Sequence, residues 1–285
     1  MIYLFFNNIK RLFNVENIYL IMNEKEDNIS VADEDVEKPD GDIYIVPTSH
    51  VSEDSSKLVH DVVEKVQPNL IAVELDDKRL EKLVSNENSK DATLKDLITK
   101  SDIGLKGSIM LVLFSKFQSI IANKLGIDII GLDMLAGFEE ASKRDIPLAL
   151  VDQEMQTTFK RFTSEITIIE LIKTVGSFGL GYIQLSRQSN DELTKQVSSE
   201  NVDVEELLHH MGNIFPAFKK VFIDERNDVI ASKTAELAEK FDKTILIIGA
   251  AHEPGVVKII ENEYNNVQVE NLPDLNVEKN VLDEN

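Results

Sequence analysis

The chain has 285 residues, of which 42% are hydrophobic, and it contains no cysteine. A chain of this length can bury a large core, and the lack of cysteine excludes disulfides, zinc–thiolate sites and cysteine nucleophiles. The formal net charge of −21 argues against nucleic acid and anionic membrane surfaces as partners, because both attract basic proteins. A metal cation is compatible with this charge, and His, Asp or Glu ligands would suit Zn, Mn, Co or Fe.

The composition of the two ends differs from that of the middle of the chain. Residues 1–22 are apolar in patches but carry Lys10, Arg11 and Glu16, so they have no compact apolar core of a signal peptide and do not qualify as a membrane span. Acidic stretches poor in aromatic residues follow this segment and also close the chain, a pattern typical of disorder. The predicted organisation is an N-terminal extension with an acidic disordered leader over 1–41, one domain over 42–272, and an acidic disordered tail over 273–285. We expect Met1 or Met22 as the start and a cytoplasmic protein.

Apolar β-like runs then alternate with helical stretches. Strands are predicted at 43–47, 70–75, 127–132 and 147–151, and a last βαβ unit ends near residue 271. Helices are predicted at 53–66, near 135–144 and through much of 155–242. This alternation predicts an α/β fold with a mostly parallel sheet built from βαβ units. The helices at about 95–125 and 155–215 form a large predicted insertion, or cap, over the sheet.

Two histidines follow apolar runs near opposite ends of the chain. His50 comes after the run 43–47, and His252 comes after the run 244–248. Ligands of an open α/β sheet bind beyond the carboxyl ends of its strands, and imidazole is the commonest protein ligand of transition metals. The paired units therefore predict that both histidines face one metal site. The alternative for each is an ordinary loop or capping residue, and His60, His209 and His210 are expected to be solvated.

Carboxylates end three of the predicted strands, namely Glu74, Asp133 and Asp152. Neighbouring parallel strands end on the same side of a sheet, so these acids are expected beside the first histidine turn; the alternative for each is a helix N-cap. Arg79 follows Glu74 by about one helical turn and is expected to pair with it or with a substrate carboxylate.

A second arginine lies on the apolar stripe of a predicted helix over 218–241. Arg226 falls on this stripe and Glu225 at its edge, and a charge on a buried face needs a partner. The alternatives are a structural ion pair and a group that clamps substrate or orients a metal ligand. Arg161 is open to the same two interpretations. Walker A, Gly-x-Gly-x-x-Gly, Gly-x-Ser-x-Gly and His-Glu-x-x-His patterns are absent, and Ser49 does not become a nucleophile by preceding His50.

Six short motifs follow one another along the chain: Pro47–Ser52 with His50, Val73–Asp76 with Arg79, Gly131–Met134, Asp152–Glu154, Asp224–Arg226 and Gly249–His252. In this order they resemble the motifs of the TraB/PrgY family, which is related to GumN and to the Tiki metalloproteases. The resemblance covers residues 42–260 and implies a divalent-metal site and, in the Tiki branch, peptide-bond hydrolysis. TraB and PrgY themselves are associated with shutting down a peptide pheromone signal.

The chain departs from the family pattern at four positions. Pro47 replaces a glycine, Asp133 stands where archaeal-type relatives usually have Glu, and Gln153 and Asn227 replace charged residues. The expected ligands are present while supporting groups differ, which bears on catalysis more than on fold. Many relatives carry membrane helices after the second histidine motif, whereas this chain ends in an acidic tail.

The leading hypothesis is a metal-dependent hydrolase acting on a peptide or similar amide, with His50, His252 and Glu74 holding the metal. Asp152 or Asp133 would be the general base, and Arg79 or Arg226 would orient substrate or stabilise negative charge. The rivals are a non-catalytic module that sequesters a peptide or partner, and a scaffold acting through the helical insertions. A homodimer is compatible with each. The expected supporting residues are Glu225, Arg161, Gly249 and Ser49.

Overall fold

The computed structural model of the chain describes residues 20–21, 41–48, 53–85, 104–110, 112, 132–187 and 215–273. The strands are β1 (Leu20–Ile21), β2 (Gly41–Thr48), β3 (Leu70–Val73), β4 (Leu148–Leu150), β5 (Lys243–Gly249) and β6 (Val267–Glu270). The helices are α1 (Glu53–Val66), α2 (Asp77–Ser85), α3 (Leu132–Arg144), α4 (Met155–Glu165), α5 (Ile168–Arg187), α6 (Pro216–Phe218), the π-helical segment Lys219–Asp224, α7 (Glu225–Ala238) and α8 (Glu253–Glu263). Residues 104–110 are also helical.

All described strands join one parallel sheet in the order β1-β4-β3-β5-β2-β6. The two-residue β1 lies at one edge, where Leu20 and Ile21 pair with β4. Strands β3 and β5 lie inside the sheet, and every residue of β3 is buried. Such continuous apolar runs are typical of parallel strands covered on both faces. The predicted α/β class and parallel sheet are confirmed.

The two faces of the sheet carry separate cores. Ile71 and Ile245 project toward α1 and α3, and they pack there with residues such as Phe138. Their neighbours Leu70 and Leu246 project the other way, toward α7 and α8. This alternation follows from the two-residue period of a strand. The sheet is thereby held between two layers of helices, and α7 packs against one of its faces.

A smaller aromatic cluster joins α4 to α6 and the π-helical segment that precedes α7. The ring of Phe222 lies 5.7 Å from Phe159, 5.2 Å from Phe162 and 4.7 Å from Phe218, measured between centroids. Phe218 and Phe222 stack nearly parallel, and the other two contacts are edge-on, both favourable arrangements for aromatic pairs. The cluster holds the π-helical segment against α4.

Part of the sequence-based assignment of elements is corrected. The run 127–132 was expected to be a strand, but Leu132 begins α3, so Asp133 lies in the first turn of a helix. Residues 127–131 lie outside the described residues, as does most of the expected insertion at 95–125. Among the described helices, none combines the length and the apolar character needed to cross a membrane.

Gly41 provides a test of how closely β2 approaches the end of α7. A methyl group on Gly41 would lie 2.0 Å from the carbonyl oxygen of Ala238, which is backbone and cannot move aside. We expect Gly41→Ala to lower the free energy of unfolding by about 1–3 kcal/mol, as overpacking does. Gly176→Ala in α5 is the matched control, because nothing lies within 4 Å of its Cβ; it should raise that free energy by about 1 kcal/mol. Urea denaturation measures both, and equal shifts would contradict the close approach.

Candidate functional site

The carboxyl edge of the sheet gathers most of the polar side chains that are buried in the described residues. Glu74 directly follows β3, Asp152 follows β4, and His252 follows β5 at the start of α8. Thr48 is the last residue of β2. Because parallel strands of one sheet end on the same side, these side chains meet at one rim. The expectation that Glu74, Asp152 and His252 share an edge therefore agrees with the geometry.

Arg226 of α7 lies at the centre of this cluster. Its Nε donates to Asp152 Oδ1 at 2.9 Å and its Nη2 to Asp152 Oδ2 at 2.7 Å, a bidentate pair. Nη2 also donates to Glu74 Oε1. Nη1 lies 3.0 Å from His252 Nε2 and 3.2 Å from the carbonyl oxygen of Phe222. The planar guanidinium can serve so many acceptors because its five N–H groups are held in a fixed fork.

The ion pair of Arg226 with Asp152 remains charged although it is buried. Burial alone would lower the pKa of Arg226, but Asp152 and Glu74 outweigh burial and raise that pKa above its usual value. Burial likewise would raise the pKa of Asp152, and the hydrogen bond and charge of Arg226, together with the charge of Arg79, hold it below its usual value. Charged partners thus compensate for the loss of water around each group.

Glu74 connects three parts of the rim. Its Oε2 accepts a hydrogen bond from the backbone N–H of Gly249 at 2.7 Å, which links the ends of β3 and β5. Its Oε1 accepts from Arg226 and lies 3.4 Å from His252 Nε2. Gly249 thus supports the cluster through its backbone N–H, which any residue except proline could provide.

The two ring nitrogens of His252 have different partners. Nε2 faces Arg226, which can only donate hydrogen bonds, so Nε2 is the acceptor. Nδ1 lies 2.6 Å from Oδ1 of Asn227, within hydrogen-bond distance. Asn227 was identified from the sequence as a departure from the family pattern, without a role, and the structure makes it the partner of this histidine.

Arg79 has partners other than the one the sequence suggested. Its Nε donates to Asp76 Oδ2 at 3.0 Å and its Nη2 to Asp152, where Glu74 had been expected. Asp76 also caps α2, because its Oδ1 accepts from the backbone N–H groups of Lys78 and Arg79, both at 3.0 Å. The cap places Arg79 in the first helical turn, from which its side chain extends toward the end of β4.

Lys233 is a site residue that sequence reasoning missed. Its Nζ donates to the backbone carbonyl of Asp152 at 2.9 Å. Burial lowers its pKa, while the neighbouring carboxylates, including Asp152, oppose this effect. Lys233 lies seven residues after Arg226, a spacing that puts both on one helix face, so the signal was present. The cluster thus opposes three carboxylates to three cations: Glu74, Asp76 and Asp152 to Arg79, Arg226 and Lys233.

Asp133 contacts Thr48, the last residue of β2. Its carboxylate accepts a hydrogen bond from the hydroxyl of Thr48, and both side chains are buried. Ser49 and His50, which follow Thr48, lie outside the described residues, and so do His209 and His210. The predicted convergence of His50 with His252 stays a prediction.

Two further positions named from the sequence have partners in neighbouring helices. Arg161 of α4 binds both carboxylate oxygens of Glu225, with Nε–Oε2 at 3.1 Å and Nη2–Oε1 at 2.6 Å. This pair joins α4 to the start of α7 and is largely exposed. His60 was expected to be solvated, and its side chain is 42% exposed. Its Nδ1 lies 3.0 Å from Oε1 of the buried Glu140 carboxylate, which links α1 to α3.

Within the described residues, no three or more His, Asp or Glu side chains are grouped so that they could hold a metal. The expected trio includes His50, which is not described. The two expected ligands that are described, His252 and Glu74, both contact the guanidinium of Arg226. An internal cation thus lies against both of them.

Comparisons with known proteins agree with the motifs. The family model described as the TraB/PrgY/gumN family matches residues 35–265. An uncharacterized protein of Methanocaldococcus jannaschii is 29% identical over 238 residues, 84% of this chain and 58% of that protein. TraB domain-containing proteins of Mus musculus and Homo sapiens are 25% and 24% identical over 256 residues, 81% of this chain and 66% of each relative. The chain thus spans less than two thirds of the length of these relatives.

The ion cluster can be tested by removing its central cation. Arg226→Met leaves the carboxylates of Glu74 and Asp152 buried without their shared partner, and breaking a buried pair in this way costs about 3–5 kcal/mol. We expect urea denaturation to show a loss of this size in the free energy of unfolding. Arg161→Met removes an exposed arginine from its pair with Glu225 and should change stability little. Similar losses in the two variants would contradict a central role for Arg226.

Asp152 should also make stability depend on pH. Its pKa is lower in the folded protein than in the unfolded chain, so its stabilising contribution is present above the unfolded pKa of about 4 and is lost as pH falls through the folded value. We expect the free energy of unfolding to decrease below about pH 4. In Asp152→Asn this decrease should be smaller, because the titrating group is gone. If the free energy of unfolding falls with pH equally in the wild type and in Asp152→Asn, this contribution is disproved.

Proposed function

The chain belongs to the TraB/PrgY/gumN family, and from this premise we propose that it is a hydrolase that cleaves a peptide or similar amide at the carboxyl edge of its sheet. The observation that carries the proposal is the arrangement of His252 and Glu74, whose Nε2 and Oε1 atoms lie 3.4 Å apart at this edge. An arginine within hydrogen-bond distance of both makes a site for negative charge that develops during acyl transfer.

A divalent metal ion is part of this proposal, and the donor set fits one. Imidazole nitrogen and carboxylate oxygen suit Mn, Co, Zn or Fe, and His252 Nδ1 is oriented by Asn227 in the way that metal-binding histidines usually are. His252 and Glu74 would hold the ion together with His50. When bound, such an ion would act as a Lewis acid toward the scissile carbonyl.

The roles of the carboxylates follow from their environments. Asp152 is a poor candidate for the general base that the sequence suggested, because Arg226 and Arg79 hold its pKa low. We assign it instead to positioning Arg226, which would stabilise negative charge on the carbonyl oxygen. Arg79 is less buried than Arg226 and would orient substrate from the rim. Asp133, hydrogen-bonded to Thr48, remains the candidate for the base.

A binding module without catalysis is the second candidate. It is favoured by the balance of charge in the cluster, where each of the three carboxylates already has an internal cation. Such a module would capture a peptide or partner at the same rim and release it unchanged. A cytoplasmic location and a homodimer stay predictions under either candidate.

Metal analysis and peptide cleavage together test the proposal. Purified protein is assayed for bound metal and incubated with a peptide library, and products are identified by mass spectrometry over time. We expect wild-type protein to bind a divalent metal and to cleave, and His252→Ala to lose both properties. His60→Ala is the matched control, because this histidine pairs with Glu140 away from the rim, and it should keep both. Peptide binding without cleavage by the wild type would favour the binding module, and cleavage retained in His252→Ala would refute the assignment of the site.

A further inference from the structure

We propose that Asn227, held in place by the space beside Gly255, is a positioning residue that fixes the tautomer of His252, with the proton on Nδ1 and the lone pair of Nε2 facing Glu74 and Arg226. Its importance for catalysis rests on the proposed function, whereas the position of the proton does not. Asn227 lies in the first turn of α7 and Gly255 in the first turn of α8. The proposal thus concerns the contact between two helices behind the rim.

The hydrogen bonds of His252 admit one consistent assignment for a neutral ring. Asn227 and His252 are both buried, at 4% exposure each, and Oδ1 lies 2.6 Å from Nδ1. If the amide were flipped, its NH₂ group would donate to Nδ1, and the ring proton would move to Nε2. It would then face Nη1 of Arg226 at 3.0 Å, and two donors would oppose each other, while the acceptor Glu74 Oε1 lies farther away at 3.4 Å. The amide oxygen therefore points at Nδ1, and Nε2 is left as the acceptor.

Gly255 explains why the amide can occupy its position. A Cβ on Gly255 would lie 2.0 Å from Nδ2 of Asn227 and 3.0 Å from its Cγ. Any larger residue at 255 would push the amide away from the ring of His252, the residue that caps the start of α8. Glycine is a poor residue inside a helix, and the close approach of Asn227 gives it a reason to be there. The pair Gly255 and Asn227 thus acts as one unit.

The fixed tautomer matters because an imidazole nitrogen with its lone pair available can hold a metal or accept a proton from water, and a protonated one can do neither. An amide at 227 achieves this without adding charge. A carboxylate there would be a fourth acid next to a cluster in which three acids already face three cations. Asn227 therefore orients His252 and leaves the charge balance of the rim unchanged.

The experiment is two-bond ¹H–¹⁵N NMR of the metal-free protein at neutral pH. The chain has five histidines, and the spectrum of His252→Ala identifies the signals of His252. For the wild type we expect a protonated Nδ1 and an unprotonated Nε2. Asn227→Leu removes the acceptor and should move the proton to Nε2 wholly or in part, and Gly255→Ala should act in the same direction. Asn227→Asp keeps an acceptor and should retain the proton on Nδ1, while Gly176→Ala should leave the spectrum unchanged.

Affinity for metal gives a second readout on the same proteins. Loss of a group that orients a metal-binding histidine typically costs about 10–100-fold in affinity, so titration with Mn²⁺ or Zn²⁺ alone should show a loss of this size in Asn227→Leu. Recovery in Asn227→Asp would distinguish orientation from general damage to the fold.

The outcomes separate this inference from the proposed function. A wild-type spectrum with the proton on Nε2, or on both nitrogens, overturns the inference without any variant, so it remains testable even if the variants fail to fold. A wild-type-like His252 spectrum in folded Asn227→Leu and Gly255→Ala overturns it as well. If the wild type shows the expected tautomer but neither binds metal nor cleaves peptides, the inference stands and the proposed hydrolase is rejected.

Discussion

The site depends on one buried cation. The guanidinium of Arg226 lies among Glu74, Asp152 and His252, and such a charge is tolerated inside a protein because partners replace the water that it loses. Each partner comes from the end of a different strand, so the register of β3, β4 and β5 has to be correct before the cluster can form. The hydrophobic layers on both faces of the sheet set that register, and α7 then brings the arginine to the rim.

Much of the fold could be predicted because parallel strands have a simple signature. The apolar runs at 43–47 and 147–151 lie at β2 and β4, and the helix at 53–66 matches α1, because strands buried on both faces leave little ambiguity. The strand predicted at 127–132 extends at least one residue too far, because Leu132 begins a helix that packs on the sheet. A strand as short as β1 has no periodicity to detect.

The site was predictable by position but less so by pairing. Residues at strand ends meet at a common edge in any parallel sheet, which is why Glu74, Asp152 and His252 could be grouped from the sequence alone. The partners of Arg79 and the role of Asn227 depend on how far α2 and α7 are rotated about their axes, and short motifs do not contain that information. Lys233 shares a face with Arg226, so helical spacing could have identified it.

The π-helical segment Lys219–Asp224 has a geometric consequence for the helix that follows it. The backbone N–H of Glu225 bonds to the carbonyl of Lys220, five residues earlier, so this turn contains one residue more than an α-helical turn. A residue gained or lost rotates everything beyond it by about 100°. Phe222 lies before the end of this segment and contacts α4, whereas Arg226 lies beyond it and contacts Glu74 and Asp152 at the rim. The irregular turn therefore sets the rotation of α7, and with it the position of Arg226, relative to the helical turns that precede Lys219.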